Sequence, residues 1–173
     1  MFHFENLDIT TRRYMLTEAE QAIKTSQLHL SRRLTERGQE LYPALLLEAI
    51  QTGDATSLAA ALEQEQCFAE REPYGTTTRR VPAGAARTFA ESEFNAFYMR
   101  GVCHRAIQEG EQVEVYRAID RLTKRPSSHF IEGQRHDPKR VLLLFRHSPS
   151  GIHRGPGLPA GYNTGLSLRL ARA

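Results

Sequence analysis

The chain has 173 residues, 40% of them apolar and 25% charged, with a formal net charge of +3 and a pI of about 9.1. A length of this order suits one domain whose core needs neither a metal nor a disulfide to fold, and the balance is only mildly basic, so contact with nucleic acid or an acidic protein surface is permitted and not required. No apolar run exceeds five residues, the length of Val141 to Phe145, far short of the roughly 18 residues of a membrane span, so no membrane partner is expected.

In chain order, Met1 to Asn6 lacks the basic and apolar regions of a signal peptide, which points to synthesis in the cytoplasm. Residues 9 to 25 read as a helix with Thr10 or Thr11 as cap and Tyr14, Leu16, Ala19, Ala22 and Ile23 as a rough apolar stripe. An extended piece at Gln27 to Leu30 follows, and Ser31 or Thr35 opens a second helical region that Pro43 should interrupt or restart. Ala44 to Gln51 reads as helix with Gly53 as its stop, and Asp54 caps another helix running to about Gln66. From Arg71 to Ala86, Pro73, Gly75, three threonines, Pro82 and Gly84 predict a loop or extended arm.

Arg87 to Glu109 is the long helix, stopped by Gly110, and Gly101 within it signals either a close approach of another backbone or a merely tolerated glycine. Val113 to Ala118 alternates as a strand, and 119 to 134 reads as a second loop. Asp137-Pro138 is a helix start for a segment carrying Val141, Leu142, Leu144 and Phe145. The Gly- and Pro-rich stretch 151 to 165 is loop, and Leu166 to Leu170 closes the chain as a strand. Two strands flanking a helix predict a parallel, right-handed crossover, with a third strand from residues 74 to 81 or 27 to 30. The fold class is therefore α+β: short N-terminal helices, then a helix-strand-helix-strand unit with a small sheet. The composition divides the chain into a helical region at 1–70, an arm at 71–86 and an α/β region at 87–173, which can also form one compact domain.

No catalytic, cofactor-binding or metal-ligating set stands out. The seven histidines show neither the i, i+4 spacing of helical metal sites nor a Cys-x-x-Cys companion. Cys103 and His104 are neighbours on a helix and point about 100° apart, so with Cys67 the expectation is two reduced, buried thiols. The glycines from Gly151 to Gly165 match no phosphate-binding loop. Two features invite contact. Aromatic residues Phe94, Phe97 and Tyr98 share a helix face and must be buried by a core or a partner, which makes them candidate interface residues together with Tyr74, Arg79 and Arg80 of the arm. Arg121, Lys124 and Arg125 form a basic group in a predicted loop, a candidate polyanion contact.

The blocks Asn6 to Met15, Ser31 to Gly38, Glu93 to Gly101, Val113 to Ala118 and Gly155 to Leu170 resemble a group of uncharacterised proteins associated with the head-gene modules of tailed bacteriophages and prophages. That family carries no catalytic signature. The resemblance implies a structural virion protein and no enzyme: a capsid-associated minor or cement protein, or a head-to-tail neck adaptor, homo-oligomeric in the particle and in contact with capsid, portal or neck subunits. A small basic DNA-packaging accessory protein is the alternative, with nucleic acid as partner.

Overall fold

The computed structural model describes residues 2–119, 130–148, 157–159 and 164–171. Every helix described except the long central one, which follows Gly84 without a side-chain cap, begins where a local side chain satisfies its first amides. In α1 (Ile9–Lys24) the cap is Asp8, whose carboxylate accepts the Thr11 N–H, two or three residues earlier than the threonines the sequence offers. Thr35 caps α2 (Glu36–Thr52) by accepting from Gly38. Asp54 and Ser57 form a reciprocal capping box at the start of α3 (Ala55–Gln64). Asp137, with Pro138 behind it, opens α5 (Pro138–Arg146).

Pro43 does not break α2, which runs through it. The amide that proline lacks would have bonded the carbonyl of Gln39, an exposed residue that water can serve. Tyr42, Leu46 and Ile50, buried completely on the inner face, hold the helix together across that point.

The segment expected as an irregular arm is a β-hairpin, β1 (Arg71–Tyr74) against β2 (Thr77–Arg80). The tight turn is made by Gly75 at φ +58°, a conformation that glycine reaches without steric cost. The long helix α4 starts at Ala85 and ends at Glu109, with Gly110 in the left-handed conformation (φ +71°) as its terminator.

The second sheet corrects the predicted crossover. Its order is β4-β3-β5, with β3 (Gln112–Arg117) antiparallel both to β4 (Arg135–His136) and to β5 (Leu166–Ala171). The third strand is the short β4; residues 74 to 81 belong to the separate hairpin and 27 to 30 to neither sheet. Since β4 and β5 both oppose β3, they run parallel to each other, and α5 lies in the connection between them. The crossover joins β4 to β5 around β3, and not β3 to β5 as the pattern without β4 suggests.

Everything gathers on α4. From Glu93 to Cys103 every residue of this helix is buried, because α1, α3, α5 and the sheet surround it. Core residues of the N-terminal region (Met15, Leu46, Leu58) and of the C-terminal region (Val113, Phe145, Leu168) belong to one continuous cluster, so the compositional divisions do not divide the core. Residues ahead of α1 complete the wrapping. The Tyr98 hydroxyl accepts the Asn6 N–H at 3.0 Å, Asn6 Oδ1 accepts the Leu170 N–H at 3.0 Å, and the His3 N–H donates to the Ala118 carbonyl at 2.7 Å.

Gly101 resolves as a close approach. A Cβ there would lie 2.5 Å from Met15 Cγ and 3.0 Å from the Thr11 carbonyl oxygen, so α1 and α4 meet at backbone distance. Helix propensity alone makes Gly101→Ala stabilising by about 1 kcal/mol. The α1 backbone reverses that sign, and we expect a net loss of about 1–3 kcal/mol from overpacking, read from denaturant unfolding. A rise in stability would show that α1 can step aside.

Candidate interaction surface

The hairpin is the most exposed ordered element outside the helices. From Arg71 to Arg80 every residue is exposed except Glu72. Glu72 alone turns inward, and two arginines hold it. Arg33 donates Nε to Oε2 at 2.6 Å and Nη2 to Oε1 at 3.0 Å, while Arg79 donates Nε to Oε1 at 2.8 Å. The carboxylate is thus covered by guanidinium groups at the protein's surface, not by depth in the core. Arg33 first, and Arg79 with it, pull its pKa from 4.5 to about 2. Two backbone bonds fasten the hairpin's root, Ala69 N–H to the Arg33 carbonyl and Val81 N–H to the Glu70 carbonyl, each 2.9 Å. The tip carries Tyr74, 59% exposed, with the Arg79 guanidinium 4.5 Å above its ring. Arg71 is braced across the ladder on Thr78, and Arg80 is its register partner.

Tyr74, Arg79 and Arg80 are therefore brought together on one rooted hairpin. The other proposed interface residues are corrected. Phe94, Phe97 and Tyr98 are at most 2% exposed: Phe4 packs on Phe94 and Tyr98, and the Arg100 guanidinium lies 4.9 Å from the Phe97 ring. The chain's own N-terminal residues and neighbouring helices take up the aromatic face, so no partner is needed to bury it. Burial also raises the Tyr98 pKa well above its ordinary value. Arg121, Lys124 and Arg125 lie outside the described residues.

Sequence reasoning missed the buried ionisable groups. Glu93 is 2% exposed and receives His29 Nδ1 at 2.8 Å and the Tyr42 hydroxyl at 3.4 Å. Burial raises its pKa, while its hydrogen bond raises that of His29. Glu18 accepts two bonds from Arg146, Nε at 3.0 Å and Nη2 at 2.5 Å, with His104 Nδ1 3.5 Å away. Both signals were present as spacing. Glu93 stands four residues before Phe97, and Glu18 falls on the Thr11, Met15, Ala22 stripe that is buried in place of Leu16 and Ile23. Cys67 and Cys103 are free, buried thiols, and burial lifts the Cys103 pKa far above the thiolate range.

These ion pairs tie one element to another: α4 to the 25–35 connection, α1 to α5. Among the described residues no three His, Cys, Asp or Glu side chains are placed to hold a metal ion, and no helix is long and apolar enough to cross a membrane. No protein-family model, curated protein or solved structure matches this chain.

The Glu72 clamp has a pH signature. A carboxyl whose pKa is depressed from 4.5 to about 2 stabilises the fold above about pH 4.5 and loses that contribution as the pH falls toward 2. Amide exchange in β1 and β2 should therefore accelerate relative to α4 across that window, and Glu72→Gln should remove the step. A step that persists in the variant would assign it to another carboxyl. For the aromatic face, Phe97→Ala should cost about 3–5 kcal/mol in thermal or denaturant unfolding, as a core residue does.

Proposed function

We propose that this protein is a structural component of a tailed-phage head, made in the host cytoplasm and built into the virion by docking its β1–β2 hairpin on a neighbouring capsid, portal or neck subunit. The observation that carries the reading is the hairpin itself: a rooted, ordered projection that presents the Tyr74 ring and arginines to solvent, whereas Phe94, Phe97 and Tyr98 of α4 are folded inward. Tyr and Arg are the residue types that most often dominate protein interfaces, because each offers a large contact area together with directional polar groups. Pre-ordering by the Glu72 clamp reduces the entropy lost on docking. The fitting partner surface is an apolar pocket for Tyr74 and the Arg79 that covers it, with carboxylates for Arg71 and Arg80 on the other face of the ribbon. The five sequence blocks that resemble head-module proteins supply the virion context.

Duplex DNA is the second reading, favoured by Arg71, Arg79 and Arg80 on one hairpin. One set of measurements separates the two. Mass spectrometry of purified particles against lysate should find the chain as a stoichiometric component, and Tyr74→Ala/Arg80→Glu should lower its incorporation at least tenfold with its melting temperature unchanged. Absence from particles, or incorporation indifferent to the hairpin, would overturn the proposal. Binding to duplex DNA that weakens steeply with salt and is lost in the same variant would transfer the hairpin to the nucleic-acid reading.

A further inference from the structure

Two surfaces away from the hairpin tip carry complementary chemistry. The first is the outer face of α5. Val141, Leu142 and Phe145 of this helix are buried, but Leu143 and Leu144 face out, 58% and 37% exposed. Lys139 and Arg140 lie one turn before them and cover the same face by i, i+3 and i+4 spacing. The second surface is a groove of about 590 Å³ between the end of α3, the root of the hairpin and the start of α4. Leu62, Phe68, Val81 and Ala86 line it with apolar atoms, and Glu63 and Glu70 stand on its rim. Lys139, Arg140, Glu63 and Glu70 are all exposed, and within the described residues none of their side chains has a hydrogen-bond or ion-pair partner.

We propose that this chain self-associates head to tail, the Leu143-Leu144 ridge of one copy seating in the α3–α4 groove of the next. The occupant is a second copy because each surface supplies what the other lacks: an apolar ridge flanked by two unpaired cations, and an apolar groove flanked by two unpaired carboxylates. Complementary potentials of this kind fix the orientation of the ridge and reject the reverse one. Ridge and groove are different patches, so one contact leaves a free ridge at one end of the pair and a free groove at the other. Such heterologous contacts propagate into a ring or a filament. A ridge of two leucines buries less than a standard interface of about 1,600 Å², so a single contact is weak, and closure of a ring or fixation on a shell strengthens it by raising the effective concentration. The contact does not use Tyr74, Arg79 or Arg80, so it stands or falls independently of the hairpin's partner.

Sedimentation velocity of the full chain, from low to several hundred micromolar at low and physiological salt, tests the contact. The wild-type protein should grow beyond a dimer with concentration, less so at higher salt. Leu143→Ser/Leu144→Ser removes the ridge, Glu63→Lys/Glu70→Lys reverses the groove, and all four positions are exposed, so both variants should keep the wild-type melting curve. Each alone should associate at least tenfold more weakly. Mixed together, they should form a 1:1 pair that grows no further, because one retains the groove and the other the ridge. A wild-type chain that stays monomeric or stops at a dimer, variants that associate like the wild type, or a mixture that stays monomeric would each overturn the inference.

Discussion

The constraint on which the whole molecule depends is the enclosure of α4. A helix buried on all sides is ordinarily apolar all round, yet this one carries Glu93, Asn95 and Arg100 through its buried middle. Each would be strongly destabilising without a partner, and each partner comes from a different part of the chain. His29 and Tyr42 serve Glu93. Asn95 donates to the Leu166 carbonyl and accepts from the Ser167 hydroxyl. Arg100 donates to the Phe145 carbonyl at 2.8 Å. Apolar packing alone would tolerate small shifts of these elements along α4; the polar groups do not, so they set the register of β5 and α5 and hold the α1–α2 connection against the helix.

The same enclosure explains where contact with other molecules falls. With the α4 aromatic face consumed internally, what the described residues leave outside includes a clamped hairpin, an exposed leucine pair and a groove, besides the side chains of Ile9 and Phe130. Glu72 and Glu18 illustrate two uses of a covered carboxylate. Glu18 sits in the body and fastens α1 to α5 through Arg146. Glu72 sits under two guanidinium groups at the surface and gives a projecting element a fixed shape. A projecting arm without that clamp would be ordered only by the bonds at its root and its two-strand ladder, which is marginal on its own.

Much of the local structure was legible. Asp54 with Ser57, Gly53, Gly110 and Asp137-Pro138 mark helix ends through side chains and backbone conformations that act within a few residues. The strand at Val113 showed as alternation because Val113 and Val115 are buried between partly exposed neighbours, and the strand at Leu166 because its leucines alternate with Ser167 and Arg169, although Ser167 is buried too. The hairpin did not show, since a ribbon exposed at every position but Glu72 has no alternation to display, and Pro73 and Gly75 disguise it as loop. Strand β4 did not show either: two residues carry no period, and missing them turned an antiparallel pairing into an expected parallel one.

The sequence by itself determined the α+β class, most helix boundaries and the burial demanded by Phe94, Phe97 and Tyr98, because capping, turn conformation and hydrophobicity are properties of a residue and its near neighbours. Only the tertiary structure decided what buries those rings, how the strands pair, and that Glu18, Glu72 and Glu93 are tied down while, among the described residues, Glu63 and Glu70 stand unpaired. Those outcomes depend on groups far apart in the chain, such as Phe4 against Phe94 or Arg33 against Glu72, and a charge acquires a partner only once the backbone between them has folded.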